Sequence, residues 1–480
     1  MTEMPRLKLL DLLLACVVLF TAAGVRVGYV WFWADQGHGA GPLKVQDTRP
    51  TLKGLLEGGV TLTGSQPNEL DALAYQLKEK QAFRAQGPFA NDQESTAYTT
   101  PGYPGLLGLA EMAGEKAGFD AAGMAASVRW LQCGLGSLTA LLYVFFARRA
   151  FRSLLVGFLA GTFCALYPFW IINTAEIDDG VLTTFLLAFA ITLGARAGQE
   201  GGALSSLFYG LILAGLALVR ATMLPFTVAA ELWFLLRCRS LSRGWLYAFL
   251  AFLGYANGLG AWTVRNYQQL GDIIPIVDST YLHLWIGNSP GATGGPHTDQ
   301  EAIAALAKSR DEEPKDTERK LAELSEKDRY NSLAWDVFKQ VRDNPTDTFQ
   351  RRIRAGVFFF IGDQWYQWNN AGQSGQELPS WFTDSYPAVL SGTLFGLLLL
   401  GGIGWRWSYA WRWESLPASL AVFWIPLPYI LGHAESLHGP RLPLDGVLLC
   451  YAALALICLV PGVGGRLLRG PAAGDADANR

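Results

Sequence analysis

Long apolar runs alternate with short polar turns over most of this 480-residue chain. A membrane-crossing helix needs about 20 apolar residues. Ten segments read as such spans, with ends soft by a few residues: 9–33, 128–146, 154–172, 181–195, 204–219, 223–236, 245–264, 389–403, 417–431 and 444–461. The first is long, carries Arg26 and is followed by no small-residue cleavage site, so it reads as a retained helix and not a signal peptide. Arginines mark every second turn: Arg6 before the first span, then Arg148, Arg149 and Arg152, then Arg196, then Arg237, Arg239 and Arg243, then Arg406 and Arg412, then Arg466 and Arg469. Positive charge stays on the cytoplasmic side, so both termini are expected there and the segments 34–127 and 265–388 outside, in the cell (plasma) membrane. The first of these segments holds 7 Lys/Arg against 11 Asp/Glu, as a non-cytoplasmic loop should. The pattern predicts an all-α polytopic membrane protein with about ten transmembrane helices and two large outer loops.

The expected organisation is a first helix (1–33), a first outer loop (34–127), a six-helix block (128–264), a second outer loop (265–388), three C-terminal helices (389–461) and a disordered tail (462–480). Within the first loop, Leu70, Leu73, Ala74 and Leu77 recur at helical spacing, which predicts a helix over 68–83. Pro101-Gly102-Tyr103-Pro104 reads as a turn, followed by an apolar helix over 105–112 lying along the membrane surface. In the second loop, 273–277 reads as a short strand-like run, 300–341 as charged helix, and 355–361 (AGVFFFI) as an interfacial amphipathic helix too short to span.

Composition agrees with this plan. Hydrophobic residues make up 51% of the chain and charged ones only 16%, against about 25% charged in soluble domains. The 17 tryptophans suit two bilayer interfaces. A net charge of −3 offers no basic field for nucleic acid. Five of the six cysteines lie inside apolar runs, and their spacing matches neither a disulfide framework nor a zinc site.

Five pieces of sequence, in order, carry a resemblance: Val25-Arg26-Val27-Gly28-Tyr29; the segment from Glu69-Leu70-Asp71 to Phe83; Thr96 to Pro104; Trp262-Thr263-Val264-Arg265-Asn266 with Trp285 to Pro290 beyond it; and His438-Gly439-Pro440-Arg441-Leu442-Pro443. Together they resemble the GT-C glycosyltransferases of the dolichyl-phosphate-mannose-protein mannosyltransferase-like (glycosyltransferase family 39-like) superfamily. The resemblance implies a multi-helix enzyme that moves a hexose or pentose from a polyprenyl-phosphate sugar donor to a lipid, glycan or protein acceptor on the outer face. In one respect the chain departs from that pattern. Many relatives carry an Asp about four residues before a Tyr at the start of the loop helix, where this chain has Gln66 and Leu70.

Glycosyl transfer passes through an oxocarbenium-like transition state. An inverting transfer needs a carboxylate to take the acceptor proton and positive groups near the leaving phosphate. Asp71 is the preferred base, with Glu69 second; the alternative for both is a first-turn acid facing the helix dipole. Glu176, Asp178 and Asp179 form an acidic turn before an apolar helix. They are candidates for binding the acceptor, and the alternative for the two aspartates is helix capping. Carboxylate oxygens also suit a divalent cation such as Mg²⁺ or Mn²⁺, and no dedicated cofactor motif is present. For the phosphate, Arg265 and Arg441 sit at expected outer helix ends, with Asn266 beside the first and His433 and His438 before the second. Arg220 joins them if its turn is outer. Tyr103 and Trp285 could stack on a sugar or anchor at the interface. A transporter or flippase is the main alternative; it would prefer paired repeats, broken helices and mid-span charges, whereas most ionisable residues here cluster at outer helix ends and no repeat is visible. A non-catalytic relative is the third reading, kept open by Gln66.

Overall fold

The computed structural model describes residues 9–35, 97–119, 121–294, 299–362, 380–408, 412–432 and 440–461. Glu69 and Asp71, with the expected helix 68–83, and His433 and His438 lie outside the described residues.

Among the described residues the regular structure is helical, with no strand. Each of the ten expected spans falls on helix. They correspond to α1 (Leu9–Asp35), α3 (Ala121–Ala150), the pair α4 (Leu154–Leu166) and α5 (Pro168–Asn173), α6 (Gly180–Glu200) and α7 (Ala203–Val219). The remainder are α8 (Leu224–Cys238), α9 (Gly244–Leu270), α15 (Ser380–Trp407), the pair α16 (Arg412–Trp424) and α17 (Pro426–Leu431), and α18 (Leu442–Leu459). Among the described residues six stretches are long and apolar enough to cross a membrane by length and composition, and α4 and α7 are shorter apolar helices. One contiguous apolar core joins them, from Val18 of α1 through Phe146 and Leu213 to Tyr451 of α18.

Lipid supplies no hydrophobic drive between helices, so small residues set their approach. A Cβ on Gly210 of α7 would collide with the Ala251 carbonyl of α9, and one on Gly254 would collide with the Leu207 carbonyl in return. Gly404 of α15 meets the backbone of Tyr451 in the same way. At one end of the bundle, arginines pair across helices: Arg148 with Asp11 at 2.7 Å, Arg149 with Glu200 at 2.5 Å, and Arg152 with Glu414 at 3.3 Å. The same residues that mark the expected cytoplasmic turns therefore also tie α1 and α6 to α3, and α16 to the turn that follows it.

The opposite end is the loop face. Here α2 (Gly102–Lys116) packs on the bundle, with Tyr103 and Leu107 buried against Val128 and Val219. The expected turn at 101–104 is instead the start of this helix, since Pro104 lies in its first turn, where a missing N–H costs nothing. The expected surface helix 105–112 is its continuation, and its apolar face is covered by α3 and α7. A Cβ on Gly102 would come within 2.6–2.8 Å of Val219, so glycine is what lets this end of α2 close.

The second loop forms α10 (Thr280–Asn288), α11 (Asp299–Arg310), α12 (Pro314–Glu323), α13 (Glu326–Asp343) and α14 (Pro345–Val357). Leu282, Trp285, Leu306, Leu321 and Leu333 gather in a small core of their own. The strand-like run 273–277 pairs with no strand. Its carbonyls are taken by side chains of α9: Asn266 Nδ2 donates to Ile274 O at 2.9 Å and Trp262 Nε1 to Ile276 O at 3.0 Å. Pro275 removes an amide that a ladder would use. The expected helix 355–361 is also redrawn. The amphipathic helix is α14, and 358–362 is a single π-helical turn whose Phe359 is buried against Tyr429.

Candidate functional site

The site starts from a broken helix. Pro168 separates α4 from α5 and lacks the N–H that would reach the Cys164 carbonyl. Arg26 of α1, fully buried, supplies the donors: Nη2 to Cys164 O at 3.2 Å and Nη1 to Ala165 O at 3.1 Å. A cation at a helix C-terminus also meets the negative end of the helix dipole. Gly136 of α3 leaves room for this guanidinium, since a Cβ there would lie 2.6 Å from Nε. On the other side α18 grips the break. The Tyr167 hydroxyl donates to Asp445 Oδ2 at 2.7 Å and Trp170 Nε1 to Leu442 O at 2.9 Å.

Beyond the break, α5 runs to Asn173 and opens into the acidic turn. Asn173 Nδ2 donates to both Asp178 oxygens, at 3.1 and 2.9 Å, and to Glu176 Oε2 at 3.2 Å. Asp178 is only 4% exposed and accepts the Gly180 N–H at 2.9 Å. Asp179 faces Arg220 of the α7–α8 turn in a two-pronged pair, Nε to Oδ2 at 2.7 Å and Nη2 to Oδ1 at 2.5 Å. Gln132 of α3 holds the turn from beneath, donating to Thr174 O at 3.0 Å and Glu176 O at 2.6 Å. Its own Oε1 accepts from the Tyr103 hydroxyl at 3.1 Å. Thr100 bonds Val219 O at 2.9 Å, which ties the start of α2 to the Arg220 turn. A small crevice runs beside this turn, with Arg26, Thr139, Asn173 and Thr184 in its lining.

Five of the expected residues therefore converge: Glu176, Asp178, Asp179, Arg220 and Tyr103. Asp178 and Asp179 point to different partners. Among the described residues no three His, Cys, Asp or Glu side chains are grouped to hold a metal. Tyr103 is buried and hydrogen-bonded, so as placed it offers no ring to a sugar; Trp285 likewise sits in the loop core with its indole N–H on Ala302 O at 3.0 Å. Arg441 is 1% exposed and engaged, with Nε 2.8 Å from Asp445 Oδ1 and Nη1 donating to Phe360 O at 2.5 Å. As placed, it locks α18 to the π turn. Arg265, part-exposed, lies 4.8 Å from the Trp262 ring centre and donates to Asn266 Oδ1 at 2.9 Å; Asn266 is the buried clasp of the 274–276 carbonyls.

Asn173, Gln132 and Asp445 were not among the expected residues. Arg441 and Asp445 stand at (i, i+4) spacing, a signal readable from sequence. Asn173 and Gln132 carry no such mark, because an amide in an apolar run shows its role only through its partners.

No family model matches this chain, and no curated protein matches it. Solved structures do. The archaeal oligosaccharyltransferase AglB from Archaeoglobus fulgidus, in complex with an inhibitory peptide and a dolichol-phosphate, superposes with a TM-score of 0.52 at 12% identity, over 96% of this chain and 52% of that one. The Archaeoglobus fulgidus oligosaccharyltransferase tethered to an acceptor peptide containing the NVT sequon gives 0.50 at 13% identity, over 94% and 49%. This chain spans about half the length of either. The chain thus shares the overall fold of these membrane proteins, the GT-C fold.

Proposed function

We propose that this protein is a membrane glycosyltransferase that moves a sugar from a polyprenyl-phosphate donor to an acceptor at the loop face. The observation that carries this reading is the acidic turn on a GT-C fold. A broken helix, a buried arginine and the α2 clamp hold Glu176, Asp178 and Asp179 at the end of the bundle where a lipid-borne head group would lie. Acids held at a membrane rim are costly to keep and are commonly functional.

In the proposed reaction the acceptor oxygen attacks the anomeric carbon as the bond from that carbon to the phosphate oxygen breaks. The phosphate leaves on its lipid with the bonding electrons, and the acceptor proton passes to a carboxylate. Asp71, with Glu69 second, is assigned as that base. Asp178 and Asp179, already bonded to Asn173 and Arg220, support the acceptor side. Arg265, which is part-exposed, is assigned to the phosphate, with His433 and His438. The loop face is assigned to the outside and both termini to the cytoplasm. A hexose or pentose is the proposed cargo. The acceptor is a lipid, glycan or protein, and the tethered acceptor peptide of the oligosaccharyltransferase structure supports the protein option.

Transfer from radiolabelled polyprenyl-phosphate hexose in membranes tests this. Asp71→Asn should lose roughly 100-fold or more in rate, the low end of what a general base contributes, and Asp178→Asn about tenfold, one hydrogen-bonded charge. Full transfer by both variants removes the assignment. A wild type inactive with every such donor turns the reading to a non-catalytic relative, which the internal bonding of Asp178 and Asp179 favours over a transporter.

A further inference from the structure

Helix α14 meets three surroundings around its circumference. Thr348, Arg351 and Ala355 are buried towards the protein. Phe349, Ile353 and Val357, each four residues from the next, stack into one stripe and are 66%, 54% and 55% exposed. Asp347, Gln350 and Arg354 are exposed beside that stripe. At about 100° per residue, the apolar stripe stands between the buried side and the polar one. The partners of α14 fix its depth. Arg352 Nη1 donates to Ile430 O at 2.9 Å and Nη2 to Asn288 Oδ1, while Asn288 Nδ2 donates to Leu431 O at 3.1 Å. A Cβ on Gly356 would lie 3.8 Å from Ile430 Cδ1. Ile430 and Leu431 close α17, at the loop-face end of the expected span 417–431, and Leu431 is itself exposed. Directly after Val357 the π turn plugs into the bundle through Phe359, against Tyr429. Helix α14 therefore lies level with the end of a spanning pair, where the apolar exterior of the bundle begins.

We propose that α14 lies in the surface of the loop-face leaflet and moors the loop subdomain to it, with Phe349, Ile353 and Val357 among the upper acyl chains and Arg354 at the lipid phosphates. Three features select lipid over a protein partner. The first is depth: lipid already surrounds the bundle at this level, so the stripe meets it with no further component. The second is the order of the sectors. A helix in the interface plane sinks its apolar side about 5–10 Å into the boundary and keeps a polar side towards water. Asp347 and Gln350 supply that polar side, and Arg354 lays its stem along apolar surface with its charge at the head groups. The third is size. Three side chains fall well short of the roughly 800 Å² per partner that a stable protein contact buries, whereas a leaflet asks for no minimum patch. This mooring does not depend on the transfer reaction.

Fluorescence quenching in phosphatidylcholine vesicles tests this. The full chain, its native cysteines replaced by alanine, carries one new cysteine labelled with a polarity-sensitive dye. At Ile353→Cys and Val357→Cys, a nitroxide on a shallow acyl carbon should quench roughly threefold more than iodide present on both sides of the membrane, and the order should reverse at Asp347→Cys. A second measurement keeps the native cysteines. In phosphatidylcholine nanodiscs, Ile353→Asp should speed hydrogen exchange along α14 about tenfold, and Ile353→Leu should leave it unchanged. The mooring is overturned if iodide quenches the dye at 353 as strongly as at 347, which puts the stripe in water. It is equally overturned if neither quencher reaches 353, which puts the stripe under a protein partner or a second copy, or if Ile353→Asp leaves exchange unchanged.

Discussion

At the scale of single residues, the acidic turn divides its labour by partner. Asp179 and Arg220 form a largely buried, two-pronged pair. Removing one member of such a pair leaves the other charge desolvated and alone, at a cost of about 3 kcal/mol. Arg220→Met should therefore destabilise the protein by about that amount. Arg220→Met with Asp179→Leu should recover much of it, since replacing both partners by apolar groups removes the stranded charge. Thermal unfolding of the singles and the double gives the coupling, and strict additivity would count against the pair. The acids were legible in the sequence, because three carboxylates at a span boundary exceed what one helix cap needs. Their partners were only half legible. Arg220 is visible as an arginine in a tight turn, but its choice of Asp179 over phosphate is a tertiary fact. Tyr103 was a candidate either for stacking on a sugar or for anchoring at the interface, and its hydroxyl is bonded to Gln132.

At the scale of elements, the break at Pro168 and the docking of α2 decide where the turn lies. Pro168→Ala would restore an N–H for the Cys164 carbonyl, so it should soften the loss caused by Arg26→Met. The two changes together should cost less than their sum, by about 1 kcal/mol, the net worth of one hydrogen bond. Equilibrium unfolding of the four proteins reads this. Gly102→Val should lift α2 away from Val219 and free the Tyr103 hydroxyl from Gln132, for about 2 kcal/mol of overpacking. Cysteine accessibility along α2 would report it, and unchanged protection would refute it. Apolar runs told where helices lie, and the ten expected segments all fall on helix. They could not tell that 273–277 would be held by Asn266 and Trp262, because a β-branched run reads the same whether its carbonyls meet a strand or a side chain. The amphipathic helix was displaced for a similar reason: the apolar FFF was taken for the helix face when it is the turn that plugs into the bundle.

At the scale of the whole molecule, the loop subdomain carries a pH sensitivity of its own. His283 of α10 lies in the loop domain beside Tyr98, and burial pushes its imidazole down to about 4. The unfolded chain, with an ordinary value near 6.5, binds a proton that the folded one refuses. Stability is therefore whole above about pH 6.5 and falls as pH drops towards 4, by up to about 3 kcal/mol. Unfolding midpoints of wild type and His283→Gln between pH 4 and 7 check this, and parallel curves would exclude His283 as the cause. Arg26 bears on how the protein is made. The carbonyls it serves in α4 lie 138 and 139 residues downstream of it. While the nascent chain is being inserted, the first helix must enter the bilayer with a guanidinium bonded only to Ala22 O of its own turn, a burden of up to about 3 kcal/mol on its own retention. That helix is thus provisional until its later companion emerges. Chains halted before Leu154 should let it slip back out, and chains released after Asn173 should hold it fast.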